Sequence, residues 1–474
     1  MSITGAFLNA RSGLAAAEGW ADIAATNIAN ANRTGYARRS APLTQLPGGG
    51  VAMTGFQRAS DAALEQAHRK EMARVATQHA TASALEVYAA TLGEIDSQTG
   101  IPGRIAQFQS ALDTLAATPS DPALQEAAVR AADGVAASLR SASSTLQRSE
   151  EGLRQAVVED VAEINARLAK VVELNQQIEG QQFGTERRAM FEDQLSESLD
   201  GLAELIDVRV QHDGAGRISV YTAAGAALVE DNTLYSLEFD TDATAARLSV
   251  NGVDITPGIE GARGSEEGAL AGRLGFLARD LPRMELQLDE LARGLVMGFE
   301  QADATVRGVA GQAGLFTDDG SAFNAMQVTG LAGRIAVNEV VTAEGGESWR
   351  IRDGIGAAGP GPASDGTQLL GFVAALTQTE EFDATAGLGT RRTIGDFAAG
   401  VVSAHQQLRN DALGRAEAFA AGRDAIQSSR QSVQGVNVDD ELQQLMLIEQ
   451  SYAANATVMK TLGEMLDTLL NAVR

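Results

Sequence analysis

The chain has no cysteine among its 474 residues. That absence excludes disulfides, thiol catalysis and cysteine-ligated metals together. Histidine is scarce as well: His68, His79, His212 and His405 are the whole supply, and none has a partner at metal-ligand spacing. Aromatic residues make up only 4%, and lysine is confined to Lys70, Lys170 and Lys460. Basic side chains, 37 in all, are outnumbered by 62 acidic ones, and the net charge is -25. A nucleic-acid partner is therefore not expected, because a basic surface supplies that affinity. No run of about 18 apolar residues occurs, so no membrane-spanning helix is expected. Arg11, Glu18 and Asp22 interrupt any apolar core near the start, so a cleavable secretory signal is not expected either.

The motifs of enzymes are missing too. Gly354-Ile355-Gly356-Ala357-Ala358-Gly359 has the glycine spacing of a dinucleotide fingerprint. Pro360 and Pro362 follow where a phosphate-binding helix should begin, so the segment reads as a loop. No phosphate-loop lysine motif, nucleophile elbow or zinc-protease motif is present. The expectation is a protein with no catalytic residues, no cofactor and no metal.

What the chain does have is a patterned stripe at each end. Ile3, Phe7, Ala10, Leu14, Ala17, Ala21, Ala24 and Ile28 recur in alternating steps of four and three. Leu445, Ile448, Tyr452, Asn455, Met459, Leu462, Leu466, Leu469 and Val473 do the same. Such steps place side chains on one face of a helix, the seam of a coiled coil. The first seam is half alanine; the second, with large side chains, is the stronger signal. The helix read over 2–31 carries only Arg11, Glu18 and Asp22 as ionisable groups, too few for a lone surface helix. Two such ends predict an assembling subunit that pairs them or offers them to neighbouring copies. The interface is expected at Ile3, Phe7, Leu14, Ile28, Leu445, Ile448, Tyr452, Asn455, Met459, Leu462, Leu466 and Leu469. Asn455, polar on an apolar seam, suits a residue that fixes register.

Between the ends, the length suffices for about three domains. Asparagine, glycine and proline from Asn27 to Ser60 mark loop and extended segments. Helical patterning resumes over 62–92, and Asp121-Pro122 reads as an N-cap followed by proline in the first turn. Val157, Val161, Ile164, Leu168, Val171, Asn175 and Ile178 share one stripe, and another helix runs from Glu186 to Ile206. The period then becomes alternating, with hairpin turns at Asp213-Gly214 and Asn251-Gly252. A leucine-seamed helix over 266–303 interrupts, and Pro282 should kink or split it. Short strands and glycine turns follow from Gly308 to about 390, then helix again from Ile394, broken near Gly435.

The fold class read from this order is mainly α with a β-rich outer domain: paired terminal coiled-coil helices, an elongated helical rod, and a central β-rich insertion. The domains are placed at 1–59 with 435–474 for assembly, 60–205 with 391–434 for the rod, and 206–390 for the outer part. Helix 266–303 is expected to pack with the rod. The ends are far apart in sequence, so they are expected to order on assembly.

Two segments resemble a known family. Ser12-Gly13-Leu14-Ala15-Ala16, then Asn27-Ile28-Ala29-Asn30-Ala31-Asn32, then Gly35-Tyr36-Ala37-Arg38 are similar to the N-terminal signature of bacterial flagellar rod, hook and hook-associated proteins. Gly435-Val436-Asn437-Val438-Asp439-Asp440-Glu441, Tyr452-Ala453-Ala454-Asn455-Ala456 and Glu464-Met465-Leu466-Asp467-Thr468-Leu469-Leu470 resemble their C-terminal signature. Asn27, Asn30, Gly35, Tyr36, Gly435 and Asn437 carry the motif. One departure is that Asn32-Arg33-Thr34-Gly35-Tyr36 shifts the family's threonine by one place. Within 112–178, Pro119-Ser120-Asp121-Pro122 and Leu174-Asn175 favour the hook-associated branch. The resemblance implies a structural, non-enzymatic subunit, secreted and extracellular, at the junction of flagellar hook and filament. It implies export by the flagellar type III system and polymerisation through the terminal helices. The implied partners are like copies of itself in a ring or tube, the hook protein, a second hook-associated junction protein and a cytoplasmic export chaperone. The alternatives are a rod or hook subunit of the same superfamily and, remotely, a flagellum-exported cell-wall hydrolase.

Overall fold

The computed structural model describes residues 3–33, 35–47, 49–92, 98–213, 216–241, 246–342 and 346–473. Thr34 and the turn residue Gly214, named above, lie outside these, as do Gly48 and the side chain of Val473. The helices are α1 (Ile3–Asn30), α2 (Ala62–Leu92), α3 (Ile101–Ala117), α4 (Pro122–Glu179), α5 (Glu186–Leu205), α6 (Ala269–Gly275) and α7 (Leu281–Ala302). They continue with α8 (Leu331–Arg334), α9 (Arg350–Asp353), α10 (Thr367–Thr377), α11 (Ile394–Gln434) and α12 (Val438–Val473). The protein is mainly helical, with its larger sheets inserted between α5 and α6.

The 58-residue α4 is the spine. The Asp121 carboxylate caps it, accepting from the amides of Ala123 at 2.8 Å and Leu124 at 3.4 Å, and Pro122 occupies the first turn. Val157, Val161, Ile164, Leu168, Val171, Asn175 and Ile178 are all buried along one face. Two asparagines on α4 dock the sheets. Asn175 donates to the Ile218 carbonyl at 2.8 Å and accepts from the Ile218 amide at 3.1 Å. Asn165 treats Leu237 the same way, at 2.9 and 2.8 Å. Each side chain thus acts as one more strand partner, which periodicity alone could not indicate.

A four-stranded antiparallel sheet follows α5, with strands Val208–His212, Ile218–Thr222, Ala227–Glu230 and Thr233–Leu234 side by side. A three-stranded sheet of Leu237–Asp240, Arg247–Val250 and Val253–Asp254 adjoins it in sequence, its last hairpin pairing Val250 with Val253 across Asn251-Gly252. The leucine helix is split as expected, but by a π-turn rather than a kink. Phe276–Asp280 forms that turn between α6 and α7, just before Pro282, whose missing N–H cannot extend an α-helical ladder. Beyond Gly308 the strands are sparse: only Phe316–Asp318 with Ile335–Val337, and Glu380–Glu381 with Arg391–Arg392, pair there among the described residues. The segment also holds α10, which glycine and the exposed Leu370 disguise in the sequence. Its inner face is Leu369, Phe372 and Leu376.

One continuous apolar core joins α2, α3, α4, α7, α10 and α11. At its centre Phe299 meets Phe108, Phe316 and Phe372, with ring centroids 5.1 to 5.4 Å apart. The segment after Gly308 is therefore fastened to the helical body by aromatic packing.

His405 on α11 lies in the same core, 3% exposed, against the Tyr88 ring at 5.3 Å. Its Nε2 is 2.6 Å from Gln287 Oε1, and the Gln287 amide donates to the Ala386 carbonyl at 2.7 Å, so the imidazole is the donor of the pair. Burial lowers the His405 pKa from 6.5 to about 4. A lowered value means the folded state holds the neutral ring. Its stability contribution is complete above about pH 6.5 and is lost as pH falls towards 4. The expected loss is about 3 kcal/mol, from a shift of about two to three pH units. Melting of the wild type should fall more steeply between pH 7 and 4 than melting of His405→Gln; parallel curves would contradict the assignment.

Candidate assembly interface

The two patterned ends meet. Helices α1 and α12 pack side by side, with Asn27 touching Glu441 and Gly13 touching Asn455. Fourteen residues back along α1 is fourteen forward along α12, so the pair is antiparallel. The buried apolar side chains here are Ala10, Ala16, Ala17, Ile23 and Ala24 on α1 and Ile448 and Leu462 on α12, and the Ser12–Gly19 face of α1 lies against Val51 and Met53. The remaining seam residues lie further out. Ile3, Leu14, Ile28, Leu445, Asn455 and Met459 are half-buried, while Phe7, Tyr452, Leu466 and Leu469 are exposed. Met465 and Leu470 are exposed beside them. The pair therefore buries mostly alanine on α1 and leaves several of its large apolar groups exposed.

Register within the pair is set by Gly13. A methyl group there would lie 2.8 Å from the Asn455 amide, closer than such atoms approach. Asn455 itself donates to the Ser451 carbonyl one turn back at 3.0 Å, so its amide is satisfied within α12 while its bulk fills the notch over Gly13. Gly13→Leu should overpack this contact by about 1–3 kcal/mol. The expected readout is faster proteolysis of both ends, restored by adding Asn455→Ala. Unchanged proteolysis would show that the notch does not hold the pair.

Where α1 ends, Asn27 ties the chain together. It is 1% exposed and fully satisfied. Its Nδ2 donates to the Arg39 carbonyl at 2.9 Å and to Glu441 Oε1 at 3.0 Å. Its Oδ1 accepts from the Tyr36 hydroxyl at 2.8 Å and the Arg39 amide at 3.0 Å. Gly35 makes the turn that returns the chain, at φ +81°, a conformation other residues resist. Burial pushes the Tyr36 hydroxyl up to about 12 and raises the Glu441 carboxyl, so the phenol stays a donor. Asn30 donates to the Thr26 carbonyl at 2.9 Å within the last turn of α1. Gly435 closes α11, and Asn437 Oδ1 accepts from the Asp439 amide at 3.0 Å as α12 begins. The structure thus gathers Asn27, Gly35 and Tyr36 at the place where α12 departs.

Beside this knot lies a buried ionic joint that connects the ends to the body. Asp193 accepts from Arg58 at 2.7 Å and Arg39 at 3.2 Å. Asp200 accepts from Arg69 at 2.7 Å and Arg430 at 2.9 Å. Glu65 lies 3.5 Å from Arg69 and accepts from the Gln434 amide at 3.2 Å. His68 borders the joint, and burial lowers its pKa. Each guanidinium has a carboxylate, the condition under which buried charge is tolerated. Pattern reading missed these residues because they are scattered from position 39 to 430. The available signal was weaker: Arg69 and Arg430 fall on inward faces of helices where apolar residues belong.

Residues 90–316 match the family model of the flagellar hook-associated protein FlgK helical domain, and residues 427–472 match that of the flagellar basal body rod FlgEFG protein C-terminal region. The chain is 25% identical to flagellar hook-associated protein 1 of Escherichia coli (strain K12), over 98% of each protein. It is 21% identical to the Bacillus subtilis (strain 168) protein of the same name, over 98% of this chain and 97% of that one. A solved structure, the flagellar hook junction protein FlgK from Burkholderia pseudomallei, is similar at 22% identity and a TM-score of 0.44, covering 53% of this chain and 46% of that one. With both terminal signatures, a helical-domain match and relatives that align over nearly the whole chain, the chain is similar to the flagellar hook-associated proteins.

Proposed function

We propose that this chain is a structural subunit of the junction between flagellar hook and filament, exported through the flagellar type III channel and polymerised through α1 and α12. The observation that carries this reading is the exposed row of Tyr452, Leu466, Leu469 and Leu470 on α12, with Phe7 on α1. Burying one such aliphatic side chain contributes about 1.5–3 kcal/mol, so a shared row can hold a wall of like copies. Its work is mechanical rather than catalytic. Among the described residues no three His, Asp or Glu side chains are grouped to hold a metal, and no helix is long and apolar enough to cross a membrane.

Residues 1–59 with 435–474 form the assembly unit in this reading, 60–205 with 391–434 the rod, and 206–390 the outer part. The partners are like copies, the hook protein below, a second hook-associated junction protein above, and before export a cytoplasmic chaperone; the final location is extracellular. The match of 427–472 to rod proteins favours one other reading, a rod or hook subunit. Gold-labelled antibody on isolated flagella separates them. Label confined to the hook–filament boundary supports the junction, and label along the hook or within the basal rod overturns it.

A further inference from the structure

The buried face of α4 is interrupted. Fully buried positions run to Leu146 and resume only at Val157, although the helix itself is continuous. Opposite the interruption, α2 presents Ala76, Ala80 and Ser83, and α4 presents Ser149, Gly152 and Leu153. Between them lies an open groove of about 730 Å³. Its floor is small and apolar, and Arg148, Arg273 and Arg423 stand at its rim with a single carboxylate, Glu204. Arg273 is paired with Asp160 and Arg423 with its neighbour Asp424. Arg148 has no described carboxylate within ion-pair distance; it donates to the Thr145 hydroxyl at 2.9 Å. A lining of three arginines to one glutamate stands out on a chain of net charge -25.

The first half of α12 is its complement. Val438, Leu442 and Met446, four residues apart, form an exposed stripe. Asp439, Asp440 and Glu449 accompany it, and no lysine, arginine or histidine occurs from Gln431 to Met459. We propose that this groove receives the Val438–Met446 face of α12 from a second copy of the chain. The two surfaces lie on different parts of the molecule, so the contact is heterologous and propagates from copy to copy into a ring or helix. The inference rests on the self-assembly reading above, but on different residues: the row at 452–470 closes the wall, and the groove sets each copy against the body of the next.

The absence of cysteine makes the test direct. Ser149→Cys and Met446→Cys are placed in one chain, purified protein is added to isolated hooks, and bound material is oxidised. The expected result is a ladder of disulfide-linked dimers, trimers and larger species, absent from either single variant. Binding to hooks without a ladder overturns the groove while leaving self-assembly standing; failure of the wild-type chain to assemble on hooks overturns both. Gly152→Trp fills the groove from a site where an added Cβ meets nothing within 4 Å. It should keep its helical circular dichroism and melting while assembly falls at least tenfold. Wild-type assembly by that variant also overturns the proposal.

Discussion

Leu466→Glu leaves the free protein folded and abolishes both its incorporation into flagella and swimming. In the monomer Leu466 is 43% exposed, so the new carboxylate remains hydrated and the body, whose core lies elsewhere, is untouched. On the proposed function, the same position is buried against a neighbour in the assembled wall. The substitution there loses about 1.5–3 kcal/mol of apolar burial. It also adds the cost of desolvating an unpaired charge, several kcal/mol more. Because every copy makes the contact, the defect recurs at each step of polymerisation. Matching melting curves, no protein in isolated flagella by immunoblot, and no spreading in soft agar are the expected results. Normal swimming by this variant would count against the whole reading.

Asn27→Ala detaches the terminal pair from the body without unfolding the core. Four groups lose a partner at once: the Arg39 amide and carbonyl, the Tyr36 hydroxyl and the Glu441 carboxylate. Each buried group left unsatisfied costs about 1–3 kcal/mol, so several kcal/mol are lost locally. The continuous core from α2 to α11 does not include this site, so its melting should hardly change. Hydrogen exchange should be at least tenfold faster in residues 35–47 and 438–445 and unchanged in α4. Equal loss of protection throughout would mean that the terminal pair and the body unfold as one unit.

Much of the helical skeleton was legible because periodicity and capping are local properties. Asp121-Pro122 announced the start of α4, Asn251-Gly252 announced a hairpin, and the leucine seam with Pro282 announced a broken helix. Where meaning depends on distant partners, the sequence was silent. Nothing local says that Asn165 and Asn175 hydrogen-bond strand edges, or that Asp193 and Asp200 each bridge two arginines from separate segments. The seams show the same limit in another form. Spacing placed Ala10, Ala17 and Leu14 on one stripe, but only packing decides that the alanines are buried while Phe7 and Leu466 stay exposed. Helix α10 was hidden because its outward Leu370 and its glycines blur the stripe of Leu369, Phe372 and Leu376.

Comparing amide exchange of the intact protein, free in solution and bound to isolated hooks, tests the central claim most directly. Residues 452–470 should gain protection of at least a hundredfold on binding, while the already buried stretch 128–146 stays as it is. If bound protein exchanges at 452–470 as fast as free protein does, the exposed apolar row of α12 is not what holds the copies together.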